Sequence, residues 1–390
     1  MHVASLLLLA CLLASSASFP TGAKLLHIQA LWRHGDRTPV ATYPTDPHQE
    51  DSWPVPWGEL TTKGMWQHYQ QGLKLKEEYI EKAKFISGNY SINEIYIRSS
   101  DVTRNLMSAY SNMAGFYSNS KGTHPQEKQW PATWSPVPVH TVPKDIDFAI
   151  WALPYCPRMA QLQKDQFESP EFVGAMDRNK DLFQLIEENG KMKITDFWKL
   201  YTFANTLMIE RYHNMTLPEW ITEDVYGRSK AMANQGFDFL YGGPAFGKEE
   251  DVEMISLSGG ELIKDMIANI EKKISGQNKL LYQVYSGHDS TVAGLLRTLG
   301  NKEAVLGDDH ADYASVVVLE LWEVAKDDFS VRVRYSKNAE TPFVTITQTV
   351  HGCPKAELCP LEAFVENRQK YIVKDIQKAC ESKEEYDIPF

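Results

Sequence analysis

The chain has 390 residues, 43% hydrophobic, 23% charged and 11% aromatic. That excludes a disordered chain and fits a globular protein of two domains, or of one large domain with an insertion. Its 51 acidic against 40 basic residues leave a net charge of −11, which argues against a general nucleic-acid binder, because such a protein needs a net basic face to displace counterions. A local basic pocket inside an acidic shell remains compatible with that balance. No GxxxxGK[ST] loop, GxGxxG turn or HExxH helix occurs, so the commonest nucleotide and zinc signatures are absent.

In chain order, the first segment is Ala4–Ala14, nearly all Leu and Ala, followed by the small residues Ser15, Ser16, Ala17 and Ser18. An apolar core of this length with a small-residue end reads as a secretory signal over residues 1–18, cleaved near Ser18. A membrane span needs ~20 apolar residues, and no later stretch is long and apolar enough, so no stable membrane anchor is expected. The expectation is a soluble protein, secreted or lumenal. Cys11 leaves with the signal, and Cys156, Cys353, Cys359 and Cys380 remain. An even count in an oxidising compartment suggests two disulfides with three pairings open. Cys353 and Cys359 are close enough for a local loop, which leaves Cys156 to reach Cys380. Zinc is the competing use, but no CxxC pair or spaced His pair accompanies these cysteines. Asn89-Tyr-Ser and Asn214-Met-Thr are candidate glycosylation sequons.

Beyond the signal, Leu25–Trp32 is a short apolar run, as a buried parallel strand would be. Tyr43–Gly58 is rich in Pro and Trp and reads as loop. Thr62–Lys84 reads as a long helix, Glu94–Arg98 as a strand, and Asp101–Phe116 as a helix with Leu106, Met107, Tyr110 and Met113 on one face. The proline-dense Trp130–Pro143 looks like a crossing or a border. From Cys156 to about Lys248 strand-like runs vanish, and helical patterns such as Asp181–Glu188 and Thr195–Arg211 dominate. Sheet signals return at Leu280–Tyr285, Ala314–Trp322, Ser330–Tyr335 and Phe343–Thr349. The economical picture is a discontinuous α/β core, residues 19–155 and 249–390, with an α-helical cap inserted over 156–248.

Three βα junctions stand out. The first strand ends in Arg33-His34-Gly35-Asp36-Arg37-Thr38-Pro39, the second is followed by Arg98-Ser-Ser-Asp-Val-Thr-Arg104, and the third by Ser286-Gly287-His288-Asp289-Ser290-Thr291. Ligands of open parallel sheets bind beyond the carboxyl ends of the strands, so Arg33, His34, Arg37, Arg104, His288 and Asp289 should share one crevice. Neighbouring arginines repel unless a multivalent anion sits among them, and guanidinium forks match phosphate oxygens. The natural ligand is a phosphoryl group on a small phosphomonoester. His34, flanked by Arg33 and Arg37, is placed to attack phosphorus and carry the phosphoryl group covalently. The arginines would neutralise charge on the phosphoryl oxygens, and His288 would hydrogen-bond one of them. Asp289 could protonate the leaving alkoxide. An Asp acting as an acid predicts an acidic optimum without assuming a metal, and no cofactor is expected. Arg98 reads instead as an ion-pair residue, and Asp308-Asp309-His310 as a solvated acidic loop rather than a metal site.

At these residues the chain resembles the histidine acid phosphatase family, a branch of the histidine phosphatase superfamily, and is most similar to its animal lysosomal and prostatic type. Arg33-His34-Gly35-Asp36-Arg37-Thr38-Pro39 matches the family's RHGxRxP signature, His288-Asp289 its HD signature, and Arg104 its third phosphate-binding arginine. The likeness covers roughly Lys24 to Cys380. It implies a phosphoglycerate-mutase-like α/β fold: a mostly parallel sheet core flanked by helices, with an inserted α-helical cap. It also implies His34 as nucleophile, Asp289 as proton donor, the other four residues as phosphate ligands, no metal, broad phosphomonoester use and often a homodimer. Three departures appear. The prostatic type has a cysteine in a Tyr-Ala-Ser-Cys stretch bridged to its cap; here Tyr313-Ala314-Ser315 is followed by Val316, and the cap holds no cysteine beyond Cys156. The Cys353–Cys359 pair is spaced more widely, and no membrane span follows the catalytic region as in the lysosomal form. Within the enzyme class a phytase-like inositol phosphate phosphatase is the alternative; the family's phytases commonly carry Asn where this chain has Thr291. A mutase fits a signal sequence poorly. A catalytically inactive phosphate-binding homologue is the alternative from another class, opposed by the intact His34 and Asp289.

Overall fold

The computed structural model describes residues 22–131, 134–151 and 155–381. The signal expected over 1–18 lies outside the described residues. The first strand, β1 (Lys24–Arg33), is the apolar run read from the sequence, buried along nearly its whole length. Its alternate side chains feed two cores: Leu31 points to one face of the sheet, and Ala30 and Trp32 to the other. Helix α1 (Thr62–Lys76) starts where the Thr61 hydroxyl accepts a hydrogen bond from the Gly64 amide. The single helix expected to Lys84 instead continues as a π-helical segment over Glu77–Lys82. Strand β2 (Ile95–Ser100) and helix α2 (Thr103–Phe116) follow, and the proline-dense stretch contains a short edge strand, β3 (His140–Val142).

Five helices come next without an intervening strand of the sheet: α3 (Pro157–Phe167), α4 (Pro170–Arg178), α5 (Lys180–Gly190), α6 (Phe197–Tyr212) and α7 (Glu223–Leu240). They share aromatic clusters of their own, with Phe172, Phe197, Phe237 and Phe239 buried together. Helix α8 (Val252–Ile274) then leads back to strand β4 (Tyr282–Gly287), helix α9 (Asp289–Thr298), and the strands β5 (Val316–Ala325), β6 (Asp328–Ser336), β7 (Val344–Thr345) and β8 (Cys359–Pro360).

Among the described residues the strands form one sheet in the order β3-β2-β4-β1-β5-β6-β7, with β8 beside β6. The α/β class is as expected, but the sheet is mixed rather than mostly parallel. Strands β3, β2, β4 and β1 run parallel, and every pairing from β1–β5 onward is antiparallel. The reason is local. Only Lys326 and Asp327 separate β5 from β6, with Asp327 at φ 60°; a turn that short can only make a hairpin, whereas parallel strands need a long crossover. The parallel half brings its carboxyl ends level: Arg33 lies opposite Gly287, and Ser99 opposite Ser286.

One core lies between the sheet and α8–α9, with Ile263, Met266, Tyr285 and Leu295 at its centre; the other lies against α1–α2, with Trp32, Leu75, Met113 and Phe116. Each such side chain contributes about 1.5–3 kcal/mol on burial. Disulfides join Cys156 to Cys380 and Cys353 to Cys359, the pairing suggested by the spacing. Asn89 and Asn214 are exposed, Asn214 at φ 56° in a tight turn after α6.

Candidate active site

Level strand ends put the three sequence motifs side by side. Arg33 is the last residue of β1 and His34 the next; Arg104 is the second residue of α2; His288 is the N-cap of α9 and Asp289 its first residue. The helix α9 N-terminus therefore faces the same crevice with its partial positive charge. A close approach of backbones seats the first loop. A Cβ on Gly35 would collide with the Gly64 backbone, and one on Gly64 with the Asp36 backbone. With both glycines present, the Arg33–Arg37 turn packs directly on the first turn of α1.

His34 is buried, with its ring edge-on to His288 at 5.6 Å between centroids. Its Nδ1 lies 2.8 Å from the Gly35 carbonyl oxygen. A carbonyl only accepts, so Nδ1 carries the proton and Nε2 keeps its lone pair. Burial, reinforced by Arg104, Arg33, His288 and Arg37, holds the imidazole well below its ordinary pKa. The shift favours the neutral ring, whose Nε2 lone pair is what a nucleophile requires.

Arg33 binds Asp289, Nη2 to Oδ2 at 3.0 Å, and lies over the Tyr313 ring at 4.2 Å. Arg37 donates to the Thr38 carbonyl at 2.9 Å and to Asn205 Oδ1 at 3.1 Å. Arg104 reaches the Gly58 carbonyl at 3.4 Å. The Nε atoms of all three guanidiniums are buried and have no hydrogen-bond partner among the described residues. Burial and the neighbouring Arg37 pull Arg104 down to about 10, while Asp289 pulls it up. All three still carry charge; Asp289 pairs directly with Arg33, while Asp312 and Glu59 act on Arg33 and Arg104 from further off. Such a group has the charge and the donor geometry that a multivalent anion requires.

His288 Nε2 lies 2.9 Å from Ser100 Oγ, and its ring meets Trp151 edge-on at 5.1 Å. Burial, with Arg104 next, holds it neutral as well. Asp289 behaves differently. Burial alone would push it up, but the charges of Arg33 and Arg37 outweigh that, and its carboxyl sits well below the ordinary range. In the free protein Asp289 is a carboxylate. A phosphoryl anion among the arginines would oppose their field and raise it again.

Several contributors were not readable from local sequence. Asn205 comes from α6, 168 residues from Arg37. Asp36, inside the first motif, accepts from Thr61 Oγ1 and pairs with His213 Nε2 at 2.9 Å, so it ties the β1 loop to the end of α6. Thr291 accepts from the His288 amide at 3.0 Å and donates to the Ile150 carbonyl at 2.7 Å, so its hydroxyl is used internally. Arg98 pairs with the buried Asp147 at 2.5 Å, an ion pair as expected, though half-buried rather than at the surface. The Asp308-Asp309-His310 segment is only partly a solvated loop. Asp309 pairs with Lys230 of α7, while His310 turns inward against Phe237 and toward Asp289. Among the described residues no cluster of His, Cys, Asp or Glu is placed to hold a metal ion.

Beside Arg33 and Asp289 opens a cleft of about 310 Å³, walled by Tyr212, Tyr226, Tyr313, Asp312, Asn338 and Glu340. A substrate whose phosphate lay among the arginines would place its alcohol here, next to Asp289.

The family model for the histidine phosphatase superfamily (branch 2) matches residues 24–336. The chain is similar to lysosomal acid phosphatase of Rattus norvegicus, 34% identical over 92% of this chain and 80% of that protein. It is also similar to prostatic acid phosphatase of Mus musculus, 33% identical over 97% of this chain and 95% of that protein. Among solved structures, the Hafnia alvei phytase in complex with tartrate superposes with a TM-score of 0.65 at 16% identity, covering 93% of this chain and all of that one. The phytase from Citrobacter braakii superposes at 0.64, also 16% identical, over 92% and 99%. At such identity these likenesses concern the fold.

Proposed function

Since this chain belongs to branch 2 of the histidine phosphatase superfamily, we propose that it is an acid phosphatase that hydrolyses small phosphate monoesters through a phosphohistidine on His34. One observation carries the reading: a neutral imidazole with Nε2 free stands among three guanidiniums whose buried Nε atoms lack partners among the described residues. Arg33, Arg37 and Arg104 take the phosphoryl oxygens, and His288 hydrogen-bonds one of them. His34 Nε2 attacks phosphorus in line; the N–P bond forms as the P–O bond to the alcohol breaks, and Asp289 gives its proton to the departing oxygen. Water then enters from the cleft, Asp289 takes its proton, the P–N bond breaks, and phosphate leaves. Asp289 starts ionised in the free protein, so it acts as an acid only after the bound anion has raised it and the medium is acidic.

The acidic cleft favours this reading over an inositol polyphosphate phosphatase. Asp309, Asp312 and Glu340 line the space for the leaving group, against Lys230 beyond Arg33, and a polyanionic alcohol would meet like charge there. Residues 156–248 serve in this reading as a cap over a core of 19–155 and 249–390. Entry to the secretory pathway through residues 1–18, glycans on Asn89 and Asn214 and a homodimer complete it. The two disulfides support an oxidising compartment, and among the described residues no helix is long and apolar enough to cross a membrane.

The test is hydrolysis of an aryl phosphate from pH 3 to 8 with excess chelator, for wild type and His34→Ala. Chelator-resistant activity that is greatest in acid and lost in His34→Ala is the expected result. Full activity in His34→Ala, or loss of activity on chelation alone, would overturn the mechanism. Inertness of wild type would leave the phosphate-binding homologue.

A further inference from the structure

Lys74 lies on the last turn of α1, away from the phosphate cluster, and is half-buried. Its Nζ meets four oxygens of one loop: Ser336 Oγ at 2.5 Å and the carbonyls of Asn338 at 2.7 Å, Ala339 at 3.2 Å and Thr341 at 2.6 Å. An ammonium has three N–H donors, so four close oxygens describe a coordination shell more than a set of single bonds. Converging carbonyls of this kind replace the hydration shell of a monovalent cation in ion-binding backbones. Without a positive charge between them, the three carbonyl dipoles would face one another with only the Ser336 hydroxyl, 2.8 Å from the Asn338 carbonyl and 3.1 Å from the Thr341 carbonyl, to donate to them.

The caged loop reaches the leaving-group cleft. Asn338 and Glu340 are part of its wall, together with Arg33 and Asp289. Inside the loop the Asn338 side chain accepts from the Glu340 amide at 3.2 Å and the Thr341 amide at 3.0 Å, so the wall residue is itself part of the turn that Lys74 gathers.

We propose that Lys74 is a positioning residue: its ammonium stands in for a bound monovalent cation and fixes the 336–341 loop as one wall of the leaving-group cleft. The inference rests on the phosphatase reading for its kinetic consequence, but not for the cage itself. The charged groups around Lys74 are Glu340 on the loop and Glu78 one turn further along its own helix, the latter already bound by Arg334 of β6 at 2.7 Å. Burial lowers Lys74 to about 8 against the pull of Glu340 and Glu78, so the cage is charged throughout the acid range and begins to empty of charge above that.

The test uses the full-length protein at pH 5 with two substrates, methyl phosphate, which hardly enters the cleft, and 1-naphthyl phosphate, which fills it. In Lys74→Met the KM ratio of naphthyl to methyl phosphate should rise roughly five- to ten-fold, with kcat changing little. Amide hydrogen exchange of residues 337–341 should accelerate in the same variant. In Lys74→Ala, ammonium chloride should pull both readouts back toward wild type, and tetramethylammonium, too large for the cage, should not. In wild type the naphthyl preference should fade as pH rises through about 8, and in Lys74→Arg it should not. Equal losses on both substrates, or unchanged loop exchange, would reduce Lys74 to a stabilising residue and overturn the inference. A wild type that cleaves neither ester would instead defeat the phosphatase reading, and the exchange and ammonium data would still decide the cage.

Discussion

The same arginines lower both His34 and Asp289, which leaves the first uncharged and the second charged, and that difference has kinetic consequences. A histidine of ordinary pKa would be protonated, and useless as a nucleophile, below about pH 6.5. Burial and the cations around His34 hold it well below that value. The pH profile of kcat/KM should therefore pass through 6.5 toward acid without a drop, and a one-proton fall centred there would refute the neutral-nucleophile argument. Asp289→Asn removes the proton donor but keeps the shape of the site. General-acid assistance is worth about 10²–10⁴-fold, and it matters most when the leaving alkoxide is poor. The variant should lose close to that factor with an alkyl phosphate and far less with p-nitrophenyl phosphate. A uniform loss across leaving groups would show that Asp289 serves only to hold Arg33, to which it is bound at 3.0 Å.

At the scale of elements, what could be read in advance was whatever is written within one strand and the loop behind it. Arg33 to Arg37, Arg104, and His288-Asp289 each sit within a few residues of a buried strand, so periodicity located them and the level ends of β1, β2 and β4 assembled them. The pairing of β5 with β6 went unread because an apolar strand looks the same in either direction; the two-residue turn at Lys326-Asp327 decides it. Asn205, His213 and Tyr212 went unread because α6 meets the β1 loop only through the tertiary fold, with 168 and 177 residues separating Asn205 from Arg37 and His213 from Asp36. The same limit hid the polar centre of the sheet. Glu320 on β5 accepts from Tyr79 at 2.6 Å and Trp322 at 2.9 Å and pairs with Arg332 at 2.6 Å and Arg334 at 3.5 Å, all buried. Removing the carboxylate leaves β6 cations buried without it, which costs about 3–5 kcal/mol. Glu320→Ala should therefore lower the denaturation midpoint sharply, and a shift of less than 1 kcal/mol would mean that water or rearrangement replaces the carboxylate. Because none of these side chains lines the cleft, kcat of the folded fraction should hold.

For the molecule as a whole, the buried titratable groups set how stability varies with pH, and their signs differ. His27, His68 and His310 are lowered to about 4, chiefly by burial, and His34 and His288 are lowered too. Between about 4 and 6.5 the unfolded chain binds these protons and the folded one does not, so stability falls as the medium becomes more acid. Glu210 on α6 works in the other direction. It is fully buried, faces Asp46, and is raised to about 9 by burial first and then by hydrogen bonding and repulsion with Asp46. Above its ordinary value the folded state holds a proton that the unfolded state has released, and this contribution to stability is lost steadily as pH rises toward 9. The slope is about 1.4 kcal/mol per pH unit. The histidines outnumber Glu210 below 6.5, Glu210 acts between 6.5 and about 8, and beyond that Lys74, lowered to about 8, begins to oppose it. The stability of the protein should thus peak near pH 6.5. The net charge of −11 deepens the fall on the alkaline side through self-repulsion. Glu210→Gln keeps the shape, can donate to Asp46 and has nothing to titrate. Urea unfolding from pH 4.5 to 8 should show a flatter alkaline limb in this variant and an unchanged acid limb. If the two proteins kept parallel profiles above pH 6.5, Glu210 would not be holding its proton there, and the decline would belong to net charge alone.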